Sequence, residues 1–362
     1  MNEQWAAYQD SKAFADRVAT LYGAGEDVRA LQKARYGKLV ERFEKRFGAQ
    51  KGGLCFFSAP GRTEIGGNHT DHNNGRVLAA AVNLDTIACV SRTDDNAIVV
   101  DSEGFAPILD GLYIGFVVDA KTRAVIAQKV ENVYFGKPCG LMDQMASSVG
   151  GMVTIDFKEQ DAKVEAIACN FAAKGYALCV VNTGGDHGDL TDDYAAIRKE
   201  MEAVAAHFGK HVLREVELET VESHVGELRR ACGDRAVLRA LHYYDENARV
   251  LEQAAAIRGG DLPAFFDAVK RSGDSSWKLL QNVYARSTEE QMAMGIELSR
   301  RFLHGDGAQR VHGGGFAGTI QAYVPLDRLD DYKKLMEDAF GPGSCTALMV
   351  RPEGAVMMPM EG

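Results

Sequence analysis

The chain has 362 residues, 46% of them hydrophobic and 25% charged, with a net charge of −10. This is the balance of a soluble globular protein with room for two domains or one large one. The acidic charge speaks against general nucleic-acid binding, no apolar run is long enough for a membrane span, and MNEQWAAYQDSKAF lacks the basic start and apolar core of a signal peptide.

Taken in order, residues 1 to about 50 predict helix, because Leu21, Val28, Leu31, Leu39, Val40 and Phe43 recur at roughly helical spacing among charges. Gly52 and Gly53 end that pattern, and LCFFS predicts a strand. It leads into Ser58 to Leu84, where a glycine-punctuated loop carries Arg62, Glu64, Asn68, His69, Asp71 and His72 between apolar flanks. Gly61, Gly66, Gly67 and Gly75 free its backbone. So many kinds of hydrogen-bonding group on one loop suggest a small polar ligand rather than a plain surface turn. Val77 to Leu84 and Thr86 to Val90 predict buried strand or short helix. Asp94, Asp95 and Asn96 mark a turn before a strand at Ala97 to Val100.

The second block is VENVYFGKPCGLMDQMASSVGGMVTIDF. A helix over Met142 to Val149 and a strand over Met152 to Phe157 follow a break at Gly136 and Pro138. Asp143 near the helix start reads either as a cap or as a general base. Ala177 to Asn182 predicts a strand, then TGGDHGDLTDDY brings four aspartates without the spacing of a calcium loop. A helix cap at Thr191 or Asp192 fits better, with Tyr194 in the first turn as a packing or ligand residue. From Asp193 to about Leu303 the pattern is helical, broken at Gly209, Gly233, Gly259–Gly260 and Gly273. His242 reads as a satisfied structural histidine.

The third block, VHGGGFAGTIQAYVP, satisfies GxGxxG through Gly313, Gly315 and Gly318, but Thr319 to Val324 predicts a strand where a dinucleotide site needs a helix. HGGG also suits an esterase oxyanion loop, which would require a GxSxG elbow that the chain lacks. The tail from Ala347 to Met358 predicts strand, turn and strand. The seven cysteines, Cys55, Cys89, Cys139, Cys169, Cys179, Cys232 and Cys345, form no CxxC and no metal-ligand spacing, as expected of free thiols in a reducing cytoplasm.

PGRTEIGGNHTDHNNG resembles the first signature of the galactokinases, a branch of the GHMP small-molecule kinases; CGLMDQ and VHGGGFAG are similar to later signatures of that family. The resemblance implies a two-domain α+β fold with mixed sheets and helices, and an active site in the cleft between domains. The N-terminal domain would span 1–175 and carry the sugar loop and the catalytic aspartate. A ferredoxin-like domain, 176–362, would carry the glycine-rich loop. The implied reaction is ATP-dependent phosphorylation of galactose at its C1 hydroxyl, with Mg²⁺, in the cytoplasm, without nucleic acid or membrane. Asp143 and Arg62 would be catalytic. Asn68, His69, Asp71, Gly140 and Tyr194 would bind the sugar, with Gly313, Gly314, Gly315 and Gly318 near the nucleotide. Family members commonly place glutamate where Asn68 stands; asparagine still donates and accepts hydrogen bonds.

One expected part has no counterpart. The chain has no Walker A motif, and the GLSSSA-type loop with which galactokinases hold ATP phosphates at a helix start is absent. It belongs in residues 103–129, where Gly111 to Phe116 resembles the strand before it and Ala124 to Asn132 the helix after it. No metal ligands are identifiable. Loss of one preorganised donor costs about 3–4 kcal/mol in a transition state, and loss of a phosphate loop more. Two alternatives therefore stand beside galactokinase: a galactose-binding relic or sensor without ATP binding, and a kinase for a related sugar such as galactosamine or galacturonate. Uncovered apolar surface is a further expectation of the shortened N-terminal domain.

Overall fold

The computed structural model describes residues 2–49, 53–93, 98–104, 108–110, 118–134, 136, 139–185, 190–284, 286, 288–316 and 318–358. The predicted strand at Gly111–Phe116, the turn at Asp94–Asn96, and Gly52 and Pro138 lie outside these residues.

The helical N-terminus is three helices, Glu3–Tyr8, Lys12–Tyr22 and Glu26–Phe47. The first two start on side-chain caps: Asn2 accepts from the Gln4 and Trp5 amides and Ser11 from the Phe14 amide. Together they bury Trp5, Phe14, Leu21, Tyr36 and Val40 against Leu54 and Phe56.

The strands are β1 (Cys55–Gly66), β2 (Arg76–Val90), β3 (Ile98–Val100), β4 (Ile108–Asp110), β5 (Met152–Asp156), β6 (Lys163–Ile167), β7 (Tyr176–Asn182), β8 (Ala308–His312), β9 (Thr319–Pro325), β10 (Cys345–Leu348) and β11 (Val356–Met358). They form a five-stranded sheet in the order β11-β1-β2-β5-β6, a four-stranded sheet β10-β7-β9-β8 and a β3-β4 ribbon. The architecture is α+β as expected. Every strand pairing among the described residues is antiparallel rather than mixed, since no helical crossover joins parallel neighbours.

Two expectations change at the first signature. β1 runs on to Gly66, so Arg62 and Glu64 are strand residues and the loop is confined to residues 67–75. Arg62, Thr63 and Glu64 pair with Ala81, Ala80 and Ala79 of β2, whose methyl groups leave space beside the long polar side chains. β2 is one continuous strand to Val90. Gly273 breaks nothing: it lies inside the helix Leu262–Ser275, where a Cβ would sit 3.0 Å from the Cβ of Arg310. Glycine there permits close helix–strand approach. Behind the sugar loop runs the long helix Asp234–Gly259, which buries Val250, Ala254 and Ile257 against Ile65 and Leu78.

Among the described residues no helix is long and apolar enough to cross a membrane.

Candidate active site

Arg62 leaves β1 toward the helix Met142–Val149 and meets Asp143 in its first turn. The contact is bidentate, with Nε to Oδ1 at 2.6 Å and Nη2 to Oδ2 at 2.6 Å. The helix N-cap is Leu141 and has no side-chain cap, so the cap reading of Asp143 gives way to its pairing with Arg62. Both side chains keep solvent access, at 33% and 44%. Burial opposes the Arg62 charge, but the hydrogen bond and the charge of Asp143 outweigh it and raise the guanidinium pKa.

The loop 67–75 begins with Gly67 at φ 89°, where any side chain would collide with the carbonyl of Arg76. Thr70 closes the loop by donating to the carbonyls of Gly67 at 2.9 Å and Arg76 at 2.6 Å. Asp71 accepts the His72 amide at 3.0 Å, and its other carboxylate oxygen lies where a side chain on residue 140 would stand. Gly140 is thus fixed as glycine by contact with Asp71. A cleft of about 540 Å³ opens beside this pair, lined by Asp71, His72, Asn74, Gln128, Asn132, Cys139, Gly140, Lys158 and Arg198 among others. Asn132 and Gln128 grip the segment from behind: the Cys139 amide donates to Asn132 Oδ1 at 2.8 Å, and Gln128 Nε2 donates to the Cys139 carbonyl at 3.2 Å.

The glycine loop after β8 lies directly on the sugar loop. Three consecutive carbonyls each receive a donor from a different place: Gly313 from Asn68 Nδ2 at 2.6 Å, Gly314 from His69 Nε2 at 2.9 Å, and Gly315 from the Tyr194 hydroxyl at 2.8 Å. Burial pushes the His69 imidazole down to about 3, which keeps it neutral, and the contact places its proton on Nε2. Gly318 is turned away and accepts from Thr183 Oγ1 at 2.8 Å. The structure therefore gathers Arg62, Asn68, His69, Asp71, Gly140, Asp143, Tyr194 and Gly313–Gly315 around one region. Tyr194 serves both readings, since its ring also packs edge-on against Phe316.

Beneath these residues lies a buried polar network that pattern reading missed. Asn68 is fully buried. Its amide nitrogen also donates to Glu64 at 3.0 Å, and its amide oxygen accepts from Asn282 at 2.9 Å and Ser276 at 3.2 Å. Glu64 pairs with Arg310 of β8 at 2.7 Å. Burial pushes the Glu64 carboxyl up to about 7 even though Arg310 pulls the other way. Glu246, on the helix Asp234–Gly259, accepts the amides of Gly67 at 3.0 Å and Asn68 at 3.4 Å. Burial opposes its charge too, but Arg249, His242 and Arg310 bring it down to about 2. His242 bonds Ser275 through Nδ1 at 2.9 Å and the Asn68 carbonyl through Nε2 at 3.0 Å, a structural histidine as read. The available signal was the spacing of His242, Glu246, Arg249 and Gln253, which puts polar groups on one face of an otherwise apolar stripe.

The aspartate-rich loop offers no ion site among the described residues, where no three His, Cys, Asp or Glu side chains converge. Asp186 and Asp189 lie outside those residues. The helix Thr191–His207 has Leu190, not Thr191 or Asp192, at its N-cap position, and Asp192 and Asp193 place charge at its positive end.

Residues 41–92 match the galactokinase galactose-binding signature. A galactokinase of Mannheimia succiniciproducens is 26% identical over 350 residues, covering 78% of this chain and 88% of the relative. A galactokinase of Haemophilus influenzae is 26% identical over 349 residues, with the same coverages of 78% and 88%. Each alignment has more positions than that share of this chain can fill, so the relatives carry residues that face gaps here. Among solved structures, the Lactococcus lactis galactokinase complexed with galactose superposes with a TM-score of 0.73 at 19% identity, over 89% of this chain and 99% of that one. A mevalonate kinase follows at a TM-score of 0.55 and 10% identity, over 81% and 98%.

Proposed function

We propose that the chain is a sugar kinase of the galactokinase branch of the GHMP small-molecule kinases and that it phosphorylates galactose at the C1 hydroxyl with ATP; the galactose-binding signature at residues 41–92 and the likeness to galactokinases support this reading. The observation that carries this reading is the bidentate Arg62–Asp143 pair standing three residues from Gly140, itself pressed on Asp71. Asp143 orients the C1 hydroxyl and takes its proton as that oxygen bonds to the γ-phosphorus and the bond to ADP breaks. Arg62 orients the Asp143 carboxylate through both of its oxygens and offsets the negative charge that builds during transfer. Asp71, His69, Asn68, Gly140 and Tyr194 shape the sugar side, and Gly313–Gly315 with Gly318 face the nucleotide. The chain divides near residue 175 into a sugar-loop half and a glycine-loop half.

Among the described residues no three His, Cys, Asp or Glu side chains converge, and no step here runs through Mg²⁺. The absent phosphate loop, beside a sugar loop that is present, favours a second reading in which the chain binds galactose without phosphoryl transfer. Calorimetry with galactose and with ATP, each alone, separates them, followed by coupled ADP release with galactose, ATP and Mg²⁺. The first reading expects both ligands to bind and turnover to fall at least about a hundredfold in Asp143→Ala. Galactose binding without ATP binding or turnover would leave the second.

A further inference from the structure

The geometry points to Asn282 as the positioning residue that couples the sugar loop to the glycine loop, an inference that rests on the sugar site proposed above. Its place in the chain is prepared locally. The helix Leu262–Ser275 runs on into a π-helical turn, Ser276–Leu280, of the kind that often marks functional positions. Gln281 then takes a left-handed conformation at φ 59°, costly for a residue with a side chain, and the chain turns inward. Asn282 arrives fully buried.

From there it reaches both loops. Its Nδ2 donates to Asn68 Oδ1 at 2.9 Å and to the Gly314 carbonyl at 3.1 Å, and its own carbonyl accepts the Phe316 amide at 2.5 Å. A side chain on Gly315 would run into the Asn282 carbonyl and amide, so the glycine loop rests against this residue. By occupying Asn68 Oδ1, Asn282 sets the amide so that Asn68 Nδ2 points to Glu64 and the Gly313 carbonyl. The remaining atom tells against a packing role: Asn282 Oδ1 is buried without a hydrogen-bond partner among the described residues. A leucine of similar size would remove that unpaired acceptor and its cost. An amide is retained here for what its nitrogen does, which is to lock two loops in one register.

The test compares wild type, Asn282→Asp and Asn282→Ser by galactose calorimetry and thermal unfolding, with Asn68→Ala in each background. Ionised aspartate has no donor and sets an oxygen against Asn68 Oδ1 and the Gly314 carbonyl, so the galactose Kd is expected to rise about tenfold. Serine retains one donor and should fall between. The effect of Asn68→Ala on galactose binding should shrink in the Asn282→Asp background, because the two substitutions break one coupling. Should Asn282→Asp fail to melt cooperatively, Asn282→Ser carries the same comparison. Unchanged galactose affinity in a folded variant, or fully additive effects with Asn68→Ala, overturns the inference while the sugar site stands. No galactose binding by the wild type removes both.

Discussion

The two sides of Asp143 are built to different standards. On the sugar side, polar groups go deep into the protein and find partners: Glu64 with Arg310, Asn68 with four neighbours, Glu246 with the loop amides, His242 through both ring nitrogens. On the other side, the helix Ala120–Lys129 buries only Ala124 and continues into a π-helical turn, Val130–Tyr134, in which Val133 is 64% and Tyr134 79% exposed. The first arrangement fixes a shape before any ligand arrives, because each buried polar group holds its neighbour in place. The second holds apolar side chains in water with nothing among the described contacts to order them. The sugar loop should therefore hold its shape, while the apolar face of residues 125–134 adds little to stability.

The comparison can be broken most severely at Arg310. It is fully buried, and its guanidinium serves the Glu64 carboxylate together with the carbonyls of Ile65 and Val311. Arg310→Met fills much of the same space but strands the carboxyl and the carbonyls. Removing one partner of a buried ion pair costs about 3–5 kcal/mol, so chemical denaturation should show a loss of that order, with galactose affinity falling alongside. A variant as stable as wild type would mean that the network is decoration on a core held by packing alone.

A finer version uses pH. The Glu64 carboxyl sits at about 7 when folded against 4.5 for a free side chain, so the native chain holds that proton more tightly. Its contribution is complete below 4.5 and is lost as the pH rises through 7. Glu64→Gln cannot ionise, so between pH 5 and 8 stability should shift in the variant's favour by up to about 3 kcal/mol. Melting both proteins at the two pH values reads this directly. A gap independent of pH would show that Arg310 keeps Glu64 an ordinary ionised acid.

These residues also mark where sequence reading stopped. Strands such as β7 and β9 were legible because apolar, β-branched runs sit between turn residues. Asp143 and Arg62 were singled out through motif resemblance, and the helix and strand that carry them bring the two into contact. The loop boundary was not legible: Arg62-Thr63-Glu64 looks polar enough for a loop, and only the alanines of β2 opposite make it a strand. Arg310 and Asn282 were invisible because Glu64 and Asn68, the side chains they hold, lie more than two hundred residues away in sequence, and no local period records such a contact. Gly273 misled for the same reason, its purpose being the distant strand it touches.

The smallest expected effect lies on the other side of Asp143. If the apolar face of residues 125–134 is exposed as described, polar substitution there removes no contact. Val125, 48% exposed, and Val133 can both be changed to lysine, and valine to lysine slightly improves helix propensity. The double variant should unfold within about 0.5 kcal/mol of wild type, as surface changes do. It should also scatter less light at high concentration, since exposed apolar patches promote association. A loss well beyond that range would mean that something covers this face in solution, and the contrast between the buried polar network and this exposed face would then belong to the isolated chain alone.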